Sequence, residues 1–232
     1  DGYYYNQTIS PGGGGTWRKN RRNNGTSYGV DLNRNFGYKW GYDNSGSSPT
    51  PSSDTYRGPS AFSEPETQAL RDLVNGLKPA TGISFHTYSD LFIHPWGYAT
   101  LTPPDSLAFW EWNDEATRGS PYFAGEGPRV LYVTNGDFND WTYGDTLSKP
   151  RCFSWTPEIG TEADGFWPAP SRIVPLAQEN LHKCYTVAAI AGPYVRIERS
   201  SLAGGELIAG IPTQLAVRAR NLGLAVTPAN LT

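Results

Sequence analysis

The 232-residue chain contains no methionine, two cysteines (Cys152 and Cys184) and three histidines. Two thiols cannot form the disulfide framework on which small secreted folds depend; their even number permits one bond. No stretch approaches the ~20 consecutive apolar residues that a membrane helix needs. The first ten residues, DGYYYNQTIS, hold neither the charged nor the apolar region of a signal peptide. Charge is also sparse. With net charge -3 and no long run of either sign, the composition excludes nucleic acid and anionic membrane as partners. Sequons at Asn6, Asn24 and Asn230 are no more than chance gives in a chain rich in Asn and Thr.

What is abundant is aromatic. Eight Trp and fourteen Tyr can build a large core and an aromatic-lined cleft, and the length suits one substantial domain with a piece of another. Residues 11–27 form a Gly- and Asn-rich loop with a basic cluster, and 29–36 (GVDLNRNF) read as a short buried strand. The segment FSEPETQALRDLVNGLK predicts a helix with Ser63 as N-cap, Glu66 completing a capping box, and Leu70, Leu73, Val74 and Leu77 on one apolar face. Strands are predicted at 82–87 and 91–95, joined as a hairpin by a turn at Ser89-Asp90, then a helix at 105–118 and a strand at 129–133. A helix capped by Asp137, a strand at 151–157 and a long helix in SRIVPLAQENLHKCYTVAAIA follow. Alternating strands and helices predict an α/β fold with a mixed, mostly parallel sheet flanked by helices. After residue 193 the pattern turns β-like, as in QLAVRAR. Residues 194–232 therefore read as the start of a β-rich appendage, a truncated β-sandwich-like tail.

Four stretches place polar residues where strands and strand ends should be apolar: Trp17-Arg18-Lys19, Asn33-Arg34, His86 in SFHTYS, and Glu158 in WTPEIG. Strand carboxyl ends are where open α/β sheets bind ligands. Singly, such an Asn-Arg pair is usually a solvated turn, such a His a satisfied core residue and such a Glu a cap. Together, guanidinium and amide donors suit a carboxylate, and the joint occurrence of His86 and Glu158 with two arginines is less easily dismissed than any one of them.

The motifs WRKNRR, GVDLNRNF, SFHTYSDLFIHPWGY, LYVTNGDFNDWTYGD and PEIG, in this order, resemble the zinc metallocarboxypeptidases of the carboxypeptidase A/B and T superfamily, most closely the bacterial branch. The resemblance covers about residues 1–193. It implies a carboxypeptidase-like sheet of which this chain holds the C-terminal two-thirds. The family's His-x-x-Glu zinc motif would lie before residue 1, so residues 1–232 alone are expected to hold no stoichiometric zinc and to hydrolyse no peptide. It further implies that Asn33 and Arg34 hold a substrate's C-terminal carboxylate, that Arg18 stabilises the oxyanion, and that His86 is a zinc ligand. Glu158 would be the general base and Tyr132, rather than Tyr143, the mobile tyrosine that closes over the substrate. Asn139 would lie at the floor of the side-chain pocket with Asp137 beside it, which suggests broad acceptance of neutral and some basic residues. The implied cofactor is one zinc ion, the implied partners are peptide or protein C-termini, and the implied location is secreted or extracellular. The appendage suggests a surface or polysaccharide as a further partner. Two other readings stay open: a related peptidase acting on cell-wall or glutamyl peptides, and a pseudoenzyme that keeps only the carboxylate clamp. Retention of Glu158 and Arg18 argues against the last, because binding alone needs neither.

Overall fold

The β-branched and aromatic run FSWTPE forms β4 (Phe153–Glu158), the central strand about which the sheet is arranged in the computed structural model. The structure describes residues 2–227; the Asn230 sequon lies outside them. β1 (Thr81–Ile83) runs parallel to β4 on one side, and β2 (Leu91–His94) antiparallel to it on the other. β3 (Phe123–Glu126) is parallel to β2, giving the order β1-β4-β2-β3. The sheet is mixed and mostly parallel, as expected. The expected hairpin between 82–87 and 91–95 is not formed. The turn is there, with Ser89 and Asp90 both donating to the Gly160 carbonyl, but it carries the chain over the end of β4, which separates the two strands.

Helices cover both faces. α3 (Ser106–Ala116) and α6 (Ile173–Ile190) close one side over Phe92, Phe109, Trp112, Trp155, Val187 and Ile190. On the other side, α5 (Phe138–Gly144) packs on β4, and Trp141 stacks with Phe36 at 5.3 Å. α5 begins as predicted: the Asp137 carboxylate accepts from the Asp140 amide at 2.8 Å.

Several local expectations fail for identifiable reasons. Residues 29–36 are not a strand; Val30 and Phe36 are buried, but Leu32–Arg34 coil into a 3₁₀ turn whose start is held by Asp31 accepting from Asn33 N–H at 3.1 Å. The segment 129–133 is not a strand either. Pro128 has no N–H for a ladder and instead opens a one-turn helix, α4 (Gly127–Val130). In α2 (Pro65–Leu77) the N-cap is Glu64 with no side-chain capping bond, because Ser63 Oγ donates to Glu64 and receives from Asn35. Only Val74 of its apolar face is buried; Leu70, Leu73 and Leu77 are exposed beside β1, the strand at the sheet's edge. An N-terminal helix, α1 (Gly2–Ile9), was not foreseen. Both cysteines are free.

Beyond α6, β5 (Val195–Leu202) and β6 (Leu215–Asn221) form an antiparallel two-stranded hairpin. It rests on α3, where Tyr194 Oη donates to Glu115 at 2.9 Å and Trp112 Nε1 to the Leu222 carbonyl at 2.7 Å.

Candidate active site

The register between β1 and β4 continues as single hydrogen bonds past Ile83. His86 N–H donates to Pro157 O, and Ile159 N–H to His86 O, both at 2.9 Å. His86 and Glu158 thus emerge side by side where the two parallel strands end, with Nδ1 and Oε1 3.9 Å apart. Into the same space the 31–34 turn delivers Asn33 and Arg34. Asn33 Oδ1 accepts from Phe138 N–H at 3.0 Å, which leaves its Nδ2 3.5 Å from His86 Nε2. Gly136, at φ +70°, lets the neighbouring loop lie against the Arg34 backbone, where a Cβ would meet Arg34 O at 2.6 Å. Arg18, Asn33, Arg34, His86, Tyr132, Asp137, Asn139 and Glu158 all line one cleft.

The charge balance of this cleft is uneven. Arg18 Nη2 lies 2.9 Å from Asp31 Oδ2, and Arg34 Nη1 is 4.0 Å from the same oxygen. One carboxylate therefore serves two guanidinium groups. Arg34 is 2% exposed, its Nη1 bonds the Asn33 carbonyl, and its Nε has no partner among the described residues. Burial lowers the Arg18 pKa, but Asp31 and Tyr132 outweigh this and hold it above the ordinary value. Burial raises Glu158 to about 7, opposed in part by Arg18 and Arg34. Burial, then the Arg18 cation, depresses His86 to about 4. Its ring is neutral near pH 7, with the lone pair of one ring nitrogen free for a metal or a hydrogen bond.

Sequence reasoning missed Asp31, the shared anchor of both arginines. Its signal was an acid placed inside an apolar stretch three residues before Arg34. It also missed Ile93, Gly97, Gly127, Leu131, Thr134 and Thr156 in the cleft wall, which His94 completes. Tyr132 is half-exposed at the cleft, whereas Tyr143 is fully buried and donates to Asp105 at 2.8 Å. His94 is also fully buried, stacked on Phe109, and His182 contacts the Glu115 carbonyl.

Residues 1–183 match the zinc carboxypeptidase family, and the chain belongs to it. It is 34% identical over 198 residues to zinc carboxypeptidase A 1 of Drosophila melanogaster, covering 81% of this chain and 44% of that protein. It is 31% identical over 208 residues to carboxypeptidase B of Astacus astacus, covering 81% and 63%. Among solved structures, carboxypeptidase A from Helicoverpa armigera superposes with TM-score 0.67 at 30% identity, covering 81% of this chain and 48% of that one. Bovine thrombin-activatable fibrinolysis inhibitor, solved with a tick carboxypeptidase inhibitor, gives 0.66 at 29% identity, covering 80% and 64%. The chain spans roughly half the length of the curated relatives it matches.

The family's zinc can be tested against the residues present. A zinc site takes three or four protein ligands. Among the described residues no group of three His, Cys, Asp or Glu side chains is arranged to hold a metal; of the two imidazoles lining the cleft, His86 is partly exposed and His94 is fully buried against Phe109. These residues do not by themselves fit a complete zinc site.

Proposed function

We propose that the protein hydrolyses the C-terminal peptide bond of peptides or proteins and releases the terminal amino acid. The observation that carries this reading is Arg34: a buried guanidinium in the cleft whose Nε has no partner among the described residues. A substrate α-carboxylate accepts from that guanidinium, with Asn33 Nδ2 a further donor beside it. Arg18, part exposed and anchored by Asp31, faces the same space and stabilises the oxyanion as the carbonyl is attacked. Glu158, with its pKa near 7, takes a proton from the attacking water and returns it to the leaving amine. Tyr132 covers the bound terminus, and Asn139 and Asp137 sit deeper, where the terminal side chain enters. Residues 194–232 we take as the start of a separate β-rich unit. Secretion accords with the family, and no helix among the described residues is long and apolar enough to cross a membrane.

The test is hydrolysis by a zinc-loaded form of the protein in which the family's remaining metal ligands join His86. Arg34→Ala leaves a substrate carboxylate without its charged partner, a loss of roughly 2–5 kcal/mol. It should lower kcat/KM for free-acid peptides by about 10²–10³-fold, and hardly change the slow turnover of their C-terminal amides. Equal losses on both substrates would overturn the assignment.

A further inference from the structure

Deep in the cleft one polar side chain is left half used. Asn139 is 7% exposed; its Nδ2 donates to Thr156 Oγ1 at 2.9 Å and to the Ile93 carbonyl at 3.4 Å. The Ile93 carbonyl, which can only accept, fixes which way the amide faces. Its Oδ1 is buried and accepts from no group among the described residues. A buried acceptor without a donor is costly, and such a group in a cleft wall is satisfied when a ligand brings the donor. Thr156 is its complement. The hydroxyl oxygen accepts from Asn139, and among the described residues its own proton goes to no acceptor. The cleft wall therefore presents one free acceptor and one free donor on adjacent side chains.

The neighbouring carboxylate does not alter this balance. Both oxygens of Asp137 are engaged, Oδ1 by the Asp140 amide at 2.8 Å and Oδ2 by the Thr134 hydroxyl at 2.5 Å. Gly97 keeps the approach open, because a Cβ there would meet Asp137 Oδ2 and Thr134 Oγ1.

Resting on the carboxypeptidase reading, we propose that this pocket selects a C-terminal residue bearing a neutral carboxamide, glutamine or asparagine, with Asn139 Oδ1 accepting the side-chain N–H and Thr156 donating to its carbonyl. A carboxylate of the same shape would set oxygen against oxygen at Asn139. An aliphatic side chain would leave both wall groups unpaired. A lysine would have to share Asp137 with the Asp140 amide and the Thr134 hydroxyl that already bond its two oxygens.

The test is binding of N-acetyl amino acids to the 1–232 chain, followed by NMR titration, with glutamine, glutamate, leucine and lysine as free acids and the amide of N-acetyl-leucine as control. The glutamine derivative should bind at least tenfold more tightly than the other three acids. Asn139→Leu should bring glutamine to within about twofold of leucine. Thr156→Val offers an independent check should Asn139→Leu disturb folding, and should weaken glutamine selectively. Equal affinity for glutamine and leucine, a preference for lysine or glutamate, or a glutamine preference that survives both variants would overturn the inference while leaving the carboxylate clamp intact. Equal binding of N-acetyl-leucine and its amide, or no binding of any ligand, would instead overturn the clamp and the inference with it.

Discussion

The sheet-and-helix unit and the C-terminal hairpin use apolar residues in opposite ways. In the first, Phe92 stacks with Trp155 at 5.9 Å, Trp155 meets Phe109 edge-on, and all three are fully buried. In the hairpin, Ile197, Leu215 and Val217 are exposed, and two strands alone have nothing to pack against. What holds the hairpin in place is polar: Glu115 on α3 takes Tyr194 and Arg196, and Glu111 takes Arg220. A two-stranded ribbon keeps its place by the surface it is fastened to, while the sheet keeps its shape by what it buries.

The comparison predicts a graded series. Trp155→Ala opens a cavity in the aromatic cluster and orphans Asn113 Oδ1, which now accepts from the indole at 2.9 Å. Urea unfolding should show a loss of about 3–5 kcal/mol; a loss below 1 would mean that the core lies elsewhere. Lys183, fully buried on α6, is next. Burial pushes its ammonium from 10.5 down to about 8, despite the Tyr122 ring 3.3 Å away and the Glu179 carbonyl. A depressed lysine gives stability at high pH that is lost as pH falls through about 8. Lys183→Met should therefore stabilise the fold at pH 6 by about 2 kcal/mol more than at pH 11. The opposite pH trend would contradict the burial argument. Glu115→Ala should cost about 1–3 kcal/mol, and its hydrogen exchange should rise across 194–222 before the sheet is affected. A uniform rise would show one cooperative unit. Smallest is Ile197→Ala, within about 0.5 kcal/mol, because the residue covers nothing.

How much of this could be read beforehand varied with how local the cause was. Asp137 caps α5 because an acid before a helical run needs only its neighbours, and α3 and α6 followed from spacing alone. The 31–34 turn did not, since Val30 and Leu32 mimic strand alternation while Asp31 folds back on Asn33 N–H. Likewise Leu70, Leu73 and Leu77 fixed the helix but not its surroundings: periodicity says which face is apolar and is silent on what covers it. Most candidate site residues were visible only through several motifs taken together. That they line one cleft depends on β4 lying between β1 and β2, a long-range pairing that no short window contains.

The central claim is that Arg34 reads a terminal carboxylate. Calorimetric binding of a short peptide and its C-terminal amide to the 1–232 chain, with and without Arg34→Ala, tests it most directly. The free acid should bind at least tenfold more tightly than the amide, and Arg34→Ala should reduce the acid to the level of the amide without moving the amide itself. Acid and amide binding alike, or falling together in the variant, would contradict it.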